Sequence, residues 1–318
     1  MLGVFLDKEA VDLGDIDFSA LDNSLAKWQY YPATRPEQVV ERIAHAQVII
    51  SNKVVLDEQA ILQAPRLKLI CVAATGTNNV DLNAADNQGI TVCNCQRYGT
   101  PSVVQHVFAL LLALFTRLPD YHQAVRQGRW QTATQFCLLD YPIRELAGKT
   151  LGIVGYGELG RAVAHIAEAF GMQVLIAQRP GTVEPQEGRI PLHALLPQVD
   201  ALTLHCPLTP ETRGLIGEWE LALMRRDAVL INAARGGIVD EAALAKALRL
   251  GALGGAGVDV LTEEPPAHGN PLLEADIPNL IVTPHNAWAS RESRQRMVQQ
   301  LVENIQAFVS GHPMRVVV

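Results

Sequence analysis

Residues Val154 to Gly160 read VGYGELG, which places glycines at positions 155, 157 and 160. The segment before them, KTLGIVG, is apolar and β-branched. The segment after them, LGRAVAHIAEAFG, has helical periodicity and stops at Gly171, and MQVLIA then reads as the next strand. Three glycines at this spacing inside a strand–turn–helix–strand unit are a dinucleotide-binding signature rather than a plain turn. Gly155 permits the tight turn, Gly157 lets the backbone approach a pyrophosphate, and Gly160 lets the helix pack closely on the strand. The helix N-terminus then offers its N–H groups and the positive end of its dipole to phosphate.

The same alternation runs outward in both directions. TLGIVG, QVLIA, ALTLHC, AVLINAA, GAGVDV and LIVTPH read as six strands separated by helical patterns such as GRAVAHIAEAF and EAALAKALRLG. Upstream, GVFL, AQVIIS, LKLICVAA and ITVCN read as strands, with RPEQVVERIAHA and VDLNAADNQG as amphipathic segments between them. Such alternation implies parallel sheets built from βαβ units. Only the second series carries the glycine signature. The run Ser102 to Thr116 is so apolar that it reads as a helix buried all round, either between domains or in a subunit interface. RESRQRMVQQLVENIQAFVSG is a final amphipathic helix.

The chain has 318 residues, long for one domain and comfortable for two. Hydrophobic residues make up 48%, which places it among globular chains. A net charge of -7 without long single-sign blocks argues against nucleic acid as a partner. Five scattered cysteines form no disulfide framework. Cys93 and Cys95 in TVCNCQ read as two buried thiols on one strand face, and no second pair completes a metal site. MLGVFLDKEA reads as a first strand rather than a signal peptide. The apolar VVQHVFALLLALF, about 13 residues, is too short to span a bilayer. A cytoplasmic protein without membrane partners is expected.

Reductive or acid–base chemistry needs an anion clamp, a carbonyl polariser and a proton donor. Three candidates stand just past successive strands: Arg235 in INAARGG, Glu263 or Glu264 in VDVLTEEPP, and His285 in IVTPHNAWAS. In a doubly wound sheet these strand ends line the ligand crevice. Arginine offers planar paired donors to a carboxylate and a carbonyl oxygen. Histidine supplies a proton near neutral pH, and a carboxylate beside it stabilises the charged ring and fixes its tautomer.

With these residues in place the chain resembles the D-2-hydroxyacid dehydrogenase family over nearly its whole length. The resemblance is carried by AATGTNNVDL, SVVQH, GKTLGIVGYGELGR, LHCPLTPETRGLI, LINAARGGIVDEAAL, GVDVLTEEPP and TPHNAWAS. YGTPSVVQHVFALLLAL and FCLLDYPIRELAGKTLGI are most similar to the glycerate dehydrogenase or hydroxypyruvate reductase branch. The resemblance implies an α/β fold of two domains: a Rossmann doubly wound parallel sheet at residues 101–287, and a smaller flavodoxin-like parallel-sheet domain at 1–100 completed by 288–318. It implies a homodimer and a reversible, NAD- or NADP-dependent reduction of hydroxypyruvate or glyoxylate to D-glycerate or glycolate.

For the site it implies Arg235, Glu264 and His285 as the catalytic set, Glu264 being chosen because it directly precedes Pro265. It implies cofactor contacts from Gly155, Tyr156, Gly157, Glu158, Leu159 and Gly160 at the turn, and from Gln178, Arg179 and Pro180 after the next strand. Cys206, Pro207, Ala233, Ala234, Asp259 and His285 complete the implied cofactor contacts, with Pro207, Ala234 and Asp259 on the nicotinamide side. The substrate would meet Thr75, Gly76, Arg235, His285 and Trp288. Asn286 departs from the family's usual aliphatic residue after the histidine.

An NAD site usually has Asp or Glu about 20 residues beyond the first glycines, to bond the ribose 2′-hydroxyl. Here neutral Gln178 and cationic Arg179 occupy that place, so a preference for NADPH is expected. Two rivals share the fold. A dinucleotide-sensing, corepressor-like binding protein would not need the Arg–Glu–His set. A formate dehydrogenase would carry Gln in place of Glu264.

Overall fold

The structure, a computed structural model, describes residues 1–182, 184 and 186–318. The chain divides into two compact units, Met1–Gly99 with Trp288–Val318, and Thr100–Ala287.

The first unit contains β1 (Leu2–Phe5), β2 (Lys27–Tyr30), β3 (Val48–Ser51), β4 (Leu69–Val72) and β5 (Thr91–Cys93). They pair in parallel in the order β2-β1-β3-β4-β5, the flavodoxin-like arrangement. Every residue of β3 and β4 is buried, which is why these strands read as continuous apolar runs rather than alternating ones. The strand β2, KWQY, has no such run. It lies at the sheet edge with an exposed, half-buried alternation, and no strand was expected there.

The helix Arg291–Val309 belongs to this first unit. Its residues Met297, Val298, Leu301, Val302 and Ile305 make one stripe, packed into a core with Phe5, Ile50, Leu69 and Cys71. Each such side chain contributes roughly 1.5–3 kcal/mol as an upper bound. Cys93 and Cys95 are buried in the same core.

The second unit contains β6 (Thr150–Val154), β7 (Gln173–Ile176), β8 (Ala201–Leu204), β9 (Val229–Asn232), β10 (Gly255–Val258) and β11 (Leu280–Val282). All pair in parallel, in the order β11-β10-β9-β8-β6-β7. Beyond β7 a single parallel bridge, Ala177 to Ile190, stands where a further outer strand would lie. The strand order reverses at β6, between β7 and β8, and that reversal opens a ligand crevice at the strand carboxyl ends.

The helix Thr100–Thr116 packs on this unit through Val103, Val107, Leu110, Leu111 and Leu114. Within the single chain one stripe of it is left uncovered. Pro101, Gln105 and Ala109, spaced by one turn, stay exposed. Among the described residues no single helix is long and apolar enough to cross a membrane.

Candidate active site

The glycine turn shows three different reasons for three glycines. Gly155 has φ +93°, and a Cβ there would stand 2.5 Å from the backbone nitrogen of Cys206. A Cβ on Gly160 would stand 2.2 Å from the carbonyl oxygen of Gly155, so the helix Glu158–Ala169 can approach the turn only through a residue with no side chain. A Cβ on Gly157 would meet nothing within 4 Å. The open space lies above the helix N-cap, a glycine with no side chain to cover the first turn. A helix N-terminus opened by a glycine N-cap at the sheet's switch point fits a pyrophosphate. Thr100 donates its hydroxyl to Glu158 in the first turn.

Beside this turn lies His205, at the end of β8. Its Nε2 is 3.0 Å from the Thr203 hydroxyl, while its buried Nδ1 has no hydrogen-bond partner among the described residues. Part of the residue stays accessible, but burial of the ring pushes its pKa down to about 4. The ring is therefore neutral near pH 7. An unfolded chain takes up a proton near pH 6.5 that the folded chain refuses until about 4, so this group's cost to the folded state grows as pH falls through that window. His205→Gln should lose less stability than the wild type between about pH 6.5 and 4, by up to about 3 kcal/mol. Parallel acid denaturation curves for the two proteins would contradict this.

The candidate residues Arg235, Glu264 and His285 follow three neighbouring strands, β9, β10 and β11. His285 Nδ1 is 2.5 Å from Glu264 Oε2. The other carboxylate oxygen, Oε1, accepts the N–H of Leu261 at 2.8 Å, so the carboxylate is aimed by the backbone of its own loop. A carboxylate acceptor on Nδ1 favours the tautomer with the proton on that nitrogen. The His285 and Glu264 side chains are 24% and 32% exposed, accessible enough to meet a small molecule. His285 has φ +52°, in the left-handed region that non-glycine residues seldom occupy. Glu263 pairs instead with His268, so the two adjacent glutamates serve different imidazoles.

Arg235 is half-buried, and its Nη1 donates to the carbonyl of Ala234 at 2.7 Å. The turn that carries it is clamped by Asn232, a residue the sequence reading did not single out. Asn232 donates to the Arg235 carbonyl at 3.1 Å and accepts the Ala234 N–H at 3.1 Å. An asparagine at a strand end, whose amide can bond the backbone just ahead of it, was the available signal. Gly236 joins this turn to the next strand's loop: a Cβ there would stand 1.9 Å from the carbonyl oxygen of Leu261. The Arg235 turn thus rests against the segment whose N–H aims Glu264.

The remaining expected contacts fall as follows. Asp259 is 1% exposed and sits at the end of β10. Its carboxylate accepts from the Thr283 hydroxyl and from the N–H groups of Asn286 and Ala287. Three bonds leave room for about one more on a carboxylate. Cys206, Ala233 and Ala234 are buried, and Pro207 is exposed. Gln178 donates its amide to the carbonyls of Thr182 at 2.9 Å and Glu184 at 2.8 Å, and Arg179 is exposed. The Arg179 charge helps hold the Glu211 carboxyl below its ordinary value, after the larger effect of the Thr209 hydroxyl.

Thr75 and Gly76 lie in the first unit, past the end of β4. There Thr75 Oγ1 donates to the Cys95 carbonyl, and its own carbonyl accepts from Asn94. Trp288 also lies in that unit, edge-on to Tyr98 with ring centroids 6.2 Å apart.

The family model for the D-isomer specific 2-hydroxyacid dehydrogenase NAD binding domain matches residues 108–287. The chain is 50% identical over 315 residues to a glycerate dehydrogenase of Methylorubrum extorquens, covering 99% of this chain and 98% of that protein. It is 38% identical over 320 residues to a hydroxypyruvate reductase of Blautia hydrogenotrophica, covering 99% and 98%. Among solved structures, the TT0316 protein of Thermus thermophilus superposes with a TM-score of 0.87, at 34% identity and with full coverage of both chains.

Proposed function

The chain belongs to the D-isomer specific 2-hydroxyacid dehydrogenase family, and from that premise we propose that it reduces hydroxypyruvate or glyoxylate to D-glycerate or glycolate, reversibly, with a nicotinamide dinucleotide. The observation that carries the proposal is the 2.5 Å contact between His285 and Glu264, with Glu264 aimed by the Leu261 N–H. A dinucleotide sensor has no use for an assembled proton donor, so this pair favours the enzyme over the corepressor-like reading.

Bound at the glycine turn, the dinucleotide supplies the hydride. The chain's own residues do the rest. Arg235 holds the substrate carboxylate and polarises the keto oxygen. His285 Nε2 delivers a proton to that oxygen as its charge develops, and Glu264 stabilises the charged ring before transfer. In the reverse direction the neutral ring takes the proton back. The backbone around Thr75 and Gly76 is proposed to hold the far side of the substrate carboxylate, and Trp288 to limit substrate size. The proposed domain roles are dinucleotide binding for 101–287 and substrate binding for 1–100 with 288–318. The test is loss of reduced-nicotinamide absorbance with a panel of 2-keto acids. Hydroxypyruvate and glyoxylate should be turned over; tight dinucleotide binding with no turnover of any keto acid would overturn the proposal in favour of the sensor.

NADPH is proposed as the preferred dinucleotide. Gln178 spends its amide on two loop carbonyls, and the loop so held begins with exposed Arg179, whose charge suits a 2′-phosphate. Arg179→Ala should raise the KM for NADPH roughly tenfold, a loss in the range of one charge-assisted hydrogen bond, and leave the KM for NADH nearly unchanged. Equal changes for both would remove Arg179 from cofactor choice.

The protein is further proposed to be a cytoplasmic homodimer. Phe136, Leu139 and Ile143, 89%, 80% and 56% exposed, follow the half-covered apolar helix and support a two-fold interface there. A stable monomer in sedimentation at micromolar concentration would count against it.

A further inference from the structure

The loop that carries His285 is held by buried polar groups that the proton transfer itself does not use. The N–H of His285 donates to the main-chain carbonyl of Asp259 at 2.7 Å. The next two N–H groups, of Asn286 and Ala287, donate to the Asp259 carboxylate, at Oδ1 and Oδ2, each at 3.0 Å. The Thr283 hydroxyl donates to Oδ1 at 2.6 Å. A hydroxyl has one proton, so with Asp259 receiving it the Thr283 oxygen must accept from its other neighbour. That neighbour is His106, whose Nε2 stands 3.0 Å away. The contact fixes a proton on Nε2 and sets the ring's direction. Ser102, one helical turn before His106, donates its hydroxyl to the Ala287 carbonyl at 2.7 Å. The spacing of four in SVVQH thus puts two donors on one face of the helix Thr100–Thr116, both spent on the loop after β11.

We propose that Thr283 is a positioning residue for His285, acting through Asp259 and supported from the helix by His106 and Ser102. The proposal rests on the proton-donor role assigned to His285 above. A residue at φ +52° holds that conformation only where its surroundings over-determine it, and here three consecutive N–H groups, from 285 to 287, are all taken by Asp259. Thr283 stands between the Asp259 carboxylate and His106 Nε2, which are only 3.5 Å apart. Without its hydroxyl, the carboxylate is free to close on Nε2. In doing so it must drag the Asn286 and Ala287 amides along or give them up. Either outcome moves His285 off its line of attack while leaving the glycine turn and Arg235 in place.

The test compares Thr283→Val, nearly the same shape without the donor, with Thr283→Ser, which keeps it. The valine variant should lose about tenfold or more in kcat, with the KM for keto acid and the affinity for dinucleotide little changed, because misalignment acts on the transition state rather than on binding. The serine variant should recover most of that loss. In the free protein, hydrogen exchange at the amides of Asn286 and Ala287 should be faster in the valine variant and near wild type in the serine variant. A valine variant with wild-type kcat, or with wild-type exchange at these amides, would overturn the inference. So would a lower melting temperature and a higher KM at unchanged kcat, which is what mere loss of packing would give. If the valine protein does not fold, His106→Leu removes the donor on the other side of the same hydroxyl, and the same outcomes decide. A wild-type protein that turns over no keto acid would overturn the proposed function instead, and the exchange measurement would still decide the role of Thr283.

Discussion

His285→Ala should lower kcat for keto-acid reduction by roughly 10²–10⁴-fold, the usual worth of a general acid, while dinucleotide binding stays close to wild type. The imidazole is tied to Glu264 through Nδ1 and presents Nε2. The other imidazole–carboxylate pair of this region, His268 with Glu263, has its histidine side chain 87% exposed, whereas His285 is 24% exposed and its partner carboxylate also accepts the Leu261 N–H. The alanine variant carries a complication, because position 285 has φ +52°, a conformation that histidine and asparagine adopt more readily than alanine. Asparagine tolerates the left-handed conformation, so His285→Asn removes the proton donor with less strain. Both variants should be similarly inactive. Near-normal turnover in the asparagine variant would remove His285 from the mechanism.

Gly236→Ala should be almost as damaging, although Gly236 performs no chemistry. Its Cβ would stand 1.9 Å from the carbonyl oxygen of Leu261, 2.1 Å from the carbonyl carbon and 2.5 Å from the nitrogen of Thr262. These are backbone atoms, which cannot swing away as a side-chain end can. Either the Arg235 turn or the Leu261 segment must move. The first displaces Arg235, the proposed substrate clamp, and the second displaces the N–H that aims Glu264. A shift of about 1 Å in a reacting geometry costs on the order of 100-fold, so kcat/KM should fall by about that factor. Overpacking should also cost about 1–3 kcal/mol of stability. Unchanged kinetics would show that the two loops are less tightly coupled than their contact implies.

Much of this arrangement was legible in the sequence because the relevant signals are local. The second series of six strands reads directly from short apolar runs, since both faces of a parallel sheet are covered and hydrophobic demand is continuous along each strand. The three glycines are legible because they stand at a fixed spacing, with Gly155 and Gly160 held by close backbone approaches and Gly157 leaving open space. The edge strand KWQY was not, because an edge strand with one open face needs no apolar run and pairs through its backbone alone. The apolar run Ser102 to Thr116 was expected to be buried all round, between domains or in a subunit interface, and within the single chain it leaves Gln105 and Ala109 exposed. Its mean character said nothing about which stripe faces the sheet.

The site divides along the same line. His285, Glu264 and Arg235 stood out because their chemistry is rare at strand ends. Which of two adjacent glutamates serves the imidazole came from resemblance rather than spacing, and in the folded chain it is Glu264 that stands 2.5 Å from His285. Asn232, Thr283, Gly236 and the Ser102–His106 pair went unread. Each acts through a partner distant in sequence, as with His106 and Thr283, or through a backbone approach that only the folded chain creates.

The configuration of the glycerate formed when the purified protein reduces hydroxypyruvate tests the central claim most directly. Family, fold and proton donor together predict D-glycerate, formed in step with the oxidation of reduced dinucleotide. L-glycerate, or no glycerate from a protein that still binds dinucleotide, would contradict it.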